Sequence, residues 1–125
     1  MKQSVFLFLV SVAHGIFGIL LMVSPETFLG FYGSELMVGG AQLGILLGAT
    51  LAGLAMIYWL SRQWGCSPVL SAVLWGGAAH NLLMMFFSLS FTFTKQWNGY
   101  GWIPVFVHAA LTAGFALYAI ACDTE

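Results

Sequence analysis

The feature that most constrains this chain is where its charges are not. Four apolar runs, roughly Gln3–Val23, Gly39–Leu60, Pro68–Phe91 and Trp102–Cys122, contain no Asp, Glu, Lys or Arg. The charged residues Lys2, Glu26, Glu35, Arg62, Lys95, Asp123 and Glu125 all fall between or beyond them. A helix needs about 20 apolar residues to cross the hydrocarbon layer. A charge at its centre costs at least about 2.5–3.5 kcal/mol on insertion scales. Four runs of this length, each purged of charge, predict an all-α integral membrane protein forming a four-helix bundle in one domain. Alternating segments of the kind that build a β-barrel are absent, and lipid leaves an isolated span no backbone partner except its own helix.

Composition closes the other routes. Of 125 residues, 61% are hydrophobic and 16% aromatic, with three Lys+Arg and four Asp+Glu. A water-soluble domain of this length carries about 31 charges, so seven cannot clothe a hydrated surface. Disordered chains lack the Phe, Trp, Leu and Ile abundant here. A net charge of -1 without a basic block gives nucleic acid nothing to bind. The bilayer itself is the first expected partner.

The start of the first run resembles a signal peptide, with Lys2 ahead of Val5–Val12 and small residues at Ser11-Val12-Ala13. Its apolar character continues to Val23, which predicts a retained span. Ser24-Pro25-Glu26-Thr27 reads as a helix start, with a Ser cap, Pro at the first position and Glu in the first turn. Phe28, Leu29, Phe31 and Tyr32 then predict a short interfacial helix with its aromatic residues toward lipid. The tight loop Arg62–Ser67 predicts antiparallel packing of spans two and three, and Asn98-Gly99-Tyr100-Gly101 is a turn signal before span four. Pro104 sits in that span's first turn, where a missing N–H costs nothing. Trp59 and Trp64 mark one interface; Trp97, Tyr100 and Trp102 mark the other. Lys2 and Arg62 against Lys95 place both termini in the cytoplasm.

Small residues four apart mark helix contacts in lipid. Gly40, Gly44 and Gly48 form a continuous row that Ala52 extends, and Ala72/Gly76 and Ala110/Gly114 offer shorter pairs. The row serves either packing within the bundle or a homo-oligomer. Gln42 points nearly opposite Gly44, which favours keeping the second option, since a polar residue seeks the bundle interior.

The chemistry-bearing residues are three histidines, one in each of three spans. His14, His80 and His108 sit about 16, 18 and 21 Å from the same edge of the bilayer at 1.5 Å per residue. Ser11 and Gly18 flank His14 at helical spacing, Gly76 flanks His80 and Thr112 flanks His108, which turns the imidazoles toward the interior. Asn81 adds a polar group about 100° from His80. One reading is packing glue across helices. The others are a cofactor site holding haem b, a transition metal with Met84 as a soft thioether donor, or a proton relay. Cys66 and Cys122 form no C-x-x-C or haem-attachment motif, and no P-loop, dinucleotide, zinc-protease or nucleophile-elbow motif occurs. Glu26 and Glu35 lie near water without an obvious base, so nothing here points to an enzyme.

Gly15-Ile16-Phe17-Gly18 leading to Ser24-Pro25-Glu26-Thr27-Phe28 and Gly33, followed by a glycine-rich span ending Tyr58-Trp59-Leu60-Ser61-Arg62, resembles a broad group of small four-span bacterial inner-membrane proteins. The resemblance covers residues 12–62 and implies four helices in a bacterial plasma membrane, with no established activity attached. The first span has His14 where small multidrug exporters carry a membrane glutamate, and fluoride-channel motifs are not matched. Together these features favour an accessory or interaction subunit, oligomeric or part of a larger membrane complex. A haem- or metal-binding redox module and a proton-coupled transporter or channel stand beside it.

Overall fold

The computed structural model describes residues 1–34 and 39–124. Glu35 and Glu125 of the charge pattern lie outside the described residues. Helices α1 (Gln3–Val23), α2 (Pro25–Phe31), α3 (Gly40–Ser61), α4 (Pro68–Phe93) and α5 (Trp102–Asp123) follow in order, with a single 3₁₀ turn at Gly99–Gly101 before the last. No strand occurs among the described residues. Helices α1, α3, α4 and α5 are long and apolar enough to cross a membrane, and the protein is an all-α, multi-pass membrane bundle. Their ends agree with the expected runs to within two residues. The largest difference is at α4, which continues to Phe93, with the Thr92 and Thr94 hydroxyls donating to carbonyls one turn back.

What would be an error in water is the expected surface here. Leu43, Leu46, Phe86, Phe106 and Leu117 are 63–68% exposed around the outside of the bundle. Lipid solvates such side chains, so association rests on fit and on polar contacts instead of water exclusion.

The bundle is built from two helix pairs, α1 with α3 and α4 with α5, which meet mainly through side chains. This corrects the expectation that the second and third spans pack along each other. They are joined by a short loop, but the glycines of α3 draw α1 onto it instead. A Cβ on Gly48 would stand 2.6 Å from the Gly18 carbonyl oxygen, and one on Gly18 2.8 Å from that of Gly48. Ser11 donates to the Ala55 carbonyl at 2.8 Å along the same seam. Gly44 is covered by Pro25 of α2, whose ring a Cβ would meet at 2.8 Å. Gly44 and Gly48 are therefore occupied within the chain and Gly40 is half-buried, while Gln42 is exposed in the first turn of α3. The row and the bundle interior share one face after all, and Gln42 is the residue turned away. Ala72, Gly76 and Ala110 also face outward; Gly77 and Gly114 are the residues that receive neighbours, the rings of Phe115 and Phe6.

Phe6 crosses from the first pair onto Gly114 of the second, meeting Phe115 edge-on with ring centroids 5.0 Å apart. Tyr58 of α3 lies 5.0 Å from Phe115. With Leu7, Val10, Leu70, Leu74, Ala78 and Ala119, these residues form an apolar plug in the half of the bundle nearest the N-terminus. That end is closed by Asp123, which accepts from Ser71 Oγ at 2.5 Å and Trp75 Nε1 at 3.1 Å, and by the Tyr118 hydroxyl donating to the Met1 carbonyl. Arg62 lies over the Trp59 ring at 3.5 Å.

At the opposite end, α2 joins the two pairs. Asn98 donates from its backbone to the Tyr32 carbonyl at 2.7 Å and from its side chain to that of Phe31 at 3.0 Å, and its Oδ1 accepts from Tyr100 N–H. Tyr32 stacks on Trp97 and Phe31 on Tyr100. The expectation of lipid-facing aromatics in α2 thus fails at Tyr32, which is 9% exposed, because Trp97 offers it a stacking partner. Ser24 makes no capping bond; its hydroxyl donates to Thr27 Oγ1.

The contrast among glycines gives a direct test. Gly48→Ala must push α1 away from α3 and is expected to lower stability in detergent by about 1–3 kcal/mol. Gly76→Ala, with no atom within 4 Å of its added methyl, is expected to be neutral or slightly stabilising. Thermal unfolding of the two purified variants checks this.

Candidate functional site

His14 is one turn above Val10 on the inner face of α1, and the spacing lets its ring fold back onto that residue's carbonyl. Nδ1 lies 2.9 Å from the Val10 oxygen. A carbonyl only accepts, so Nδ1 carries the proton and Nε2 presents a bare lone pair. The residue is 4% exposed, and that Nε2 has no hydrogen-bond partner.

Two rings stand against it. His80 from α4 has its centroid 6.1 Å away, and Tyr58 from α3 lies edge-on at 5.5 Å. Side chains lean toward the N-terminus of their helix. Because α1 and α3 run antiparallel, His14 and Tyr58 lean toward each other at one depth, although their Cα atoms are well separated along the axis. His80 Nε2 and the Tyr58 hydroxyl are also buried without partners. These three orphaned atoms, His14 Nε2, Tyr58 Oη and His80 Nε2, belong to a single contiguous trio spanning both helix pairs.

His108 takes a different role. Asn81, fully buried, donates from Nδ2 to the Gly77 carbonyl at 2.9 Å, which turns its Oδ1 toward α5. His108 Nδ1 lies 2.9 Å from that oxygen and must donate to it. Thr112 in turn donates to the His108 carbonyl. Among the described residues no three His, Cys, Asp or Glu side chains are placed to share one metal ion. Of the three expected imidazoles, His14 and His80 stand ring against ring, while His108 on α5 has its Nδ1–H held by Asn81 as that of His14 is held by Val10.

Sequence reasoning missed Tyr58, which stands near the interface by residue count but reaches the mid-membrane layer by leaning along an antiparallel helix. Asn81 was noted for its polarity but not assigned a partner. The signal that finds it is general: an amide in hydrocarbon needs a bonding group on a facing helix. Met84, one turn beyond His80, is half-buried.

The surroundings limit what the trio can do. On the N-terminal side lies the plug of Phe6, Leu7, Val10, Leu74 and Phe115. Two surface hollows, one lined by Cys66, Ser71, Trp75, Cys122 and Asp123 and the other by Thr92, Lys95, Trp97 and Trp102, lie at opposite ends of the bundle, and neither includes a histidine. Comparison with protein-family models, with curated proteins and with solved structures gives no match.

The Asn81–His108 bond has a measurable worth. Asn81→Leu is expected to destabilise the bundle by about 0.5–2 kcal/mol. His108→Leu in that background is expected to cost less than it does alone, since the partner is already gone. A double-mutant cycle on unfolding in mild detergent reads the coupling.

Proposed function

We propose that this chain is a small membrane subunit whose task is to hold a resident ligand between its helix pairs, on His14 and His80. The observation that carries the reading is the clustering of orphaned atoms. A buried polar group without a partner costs roughly 1–3 kcal/mol, and native structures leave few of them. Three together, on three different helices, are explained at once by a ligand that meets the two imidazole nitrogens and the hydroxyl. Packing glue does not account for them, because glue residues bond each other, as Asn81 and His108 do.

A conduit is less well supported than a binding site. The trio borders a plug of Phe6, Leu7, Val10, Leu74 and Phe115 on its N-terminal side, a poor path for a proton or ion. In the cell we place the protein in a bacterial plasma membrane with both termini cytoplasmic, following the balance of Lys2 and Arg62 against Lys95. There it serves as an accessory component of a larger membrane assembly. With Gly44 and Gly48 occupied internally, contact with such partners falls to the apolar faces that carry Leu46, Phe86 and Phe106.

Purification in mild detergent from cofactor-replete cells tests this reading. The wild-type protein is expected to retain one ligand per chain, detected by absorption, elemental analysis or mass spectrometry. His14→Leu and His80→Leu are expected to lose it while keeping their helical circular dichroism. A wild-type protein that carries nothing, with variants that differ only in stability, would contradict the proposal.

A further inference from the structure

The chemistry of the trio narrows the ligand class. We propose that His14 Nε2 and His80 Nε2, with the Tyr58 hydroxyl as a third donor, form a site for a monovalent copper ion inside the membrane; this rests on the resident-ligand reading above.

Geometry supports an ion. Metal-binding histidines ordinarily donate their second ring nitrogen to a carbonyl or carboxylate, which fixes the tautomer and aims the free nitrogen. His14 has that arrangement, its Nδ1–H held by the Val10 carbonyl at 2.9 Å. Two imidazoles sharing one metal at about 2 Å from each nitrogen have centroids about 5–6.5 Å apart, and the His14–His80 separation is 6.1 Å. The Tyr58 ring edge at 5.5 Å from His14 and the Phe115 ring at 5.0 Å from Tyr58 occupy the adjoining space. A single ion needs far less room than a porphyrin, which requires a slot between the rings that this aromatic packing fills.

Charge selects the ion. The donors are neutral, and no acidic residue lies in α1, α3 or α4, while the one acid of α5, Asp123, is at its end and bonded to Ser71 and Trp75. A divalent ion would therefore leave two uncompensated charges in a low-dielectric layer, where even one is costly. A monovalent ion halves that charge. Imidazole is a good copper ligand, and a soft thioether favours the reduced ion. Met84, half-buried one turn beyond His80, leans back toward that turn of α4. Zinc and iron(II) favour three or more protein ligands, often with a carboxylate or thiolate among them, and no carboxylate or thiolate stands at this depth.

The experiment offers the intact protein in detergent, free of oxygen, one equivalent of Cu(I) held by a chromogenic chelator, and in parallel Zn²⁺ and Co²⁺. The wild type is expected to withdraw one Cu(I) per chain and to leave the divalent ions unbound. His14→Leu and His80→Leu are expected to lose at least tenfold in Cu(I) affinity. If His14→Leu fails to fold, His14→Phe keeps a ring against Tyr58, cannot ligate, and gives the same readout. Tyr58→Phe is expected to leave the metal-free protein as stable or more so, since an orphaned hydroxyl is removed, yet to bind Cu(I) more weakly; a merely structural tyrosine would leave the affinity unmoved. Uptake of Zn²⁺ or Co²⁺ with Cu(I) left on the chelator overturns the assignment, as does equal Cu(I) binding by wild type and His14→Phe. An organic cofactor retained by the purified wild type, and lost from the His14 and His80 variants, would overturn copper while leaving the resident-ligand reading in place.

Discussion

Hydrocarbon as the solvent is the constraint on which the rest depends. It offers no hydrogen bonds, so each span closes its own backbone into a helix and every internal polar side chain has to find a partner inside the protein. It also removes the drive to bury apolar surface, which explains why Leu43, Phe106 and Leu117 stay on the outside while glycines, serines and an aromatic plug occupy the seams. Under these terms the few polar groups placed at mid-membrane carry more information than the many apolar ones around them.

Two kinds of joint hold the bundle. Within each pair, close approach dominates: Gly18 against Gly48 in the first, and Phe115 seated on Gly77 in the second. Between pairs, large rings bridge a wider gap, with Phe6 reaching onto Gly114 and Tyr58 reaching Phe115. At the far end Asn98 ties α2 to the turn before α5. The histidine trio lies in this gap, at the level where the aromatic plug ends.

The helices were legible because charge exclusion is a yes-or-no signal: Arg62 and Lys95 bound the third span as plainly as any cap. The depth of His14, His80 and His108 was legible for the same reason, since rise per residue is fixed. Helix pairing was not. The loop Arg62–Ser67 argued for α3 beside α4, but loop length limits only which ends are neighbours, whereas Gly44 and Gly48 decide which helix can come close. The sign of Gln42 was misread because a polar residue in the first turn of a span can reach the interface and needs no interior partner. Tyr58 was missed because counting residues locates a Cα, while the hydroxyl sits several ångströms further along the direction its side chain leans. The bond from His108 to Asn81 depends on Asn81 bonding Gly77, a detail of rotation that periodicity does not carry.

The central claim is that the two helix pairs bring His14 and His80 together inside the membrane, with His14 shielded from lipid. Solid-state NMR of the imidazole-labelled protein in bilayers addresses it without variants or added ligands. The account predicts cross-peaks between the rings of His14 and His80, and between His14 and Tyr58, with no transfer from acyl-chain protons to His14. Contacts from His14 to lipid acyl chains, with none to His80, would contradict it.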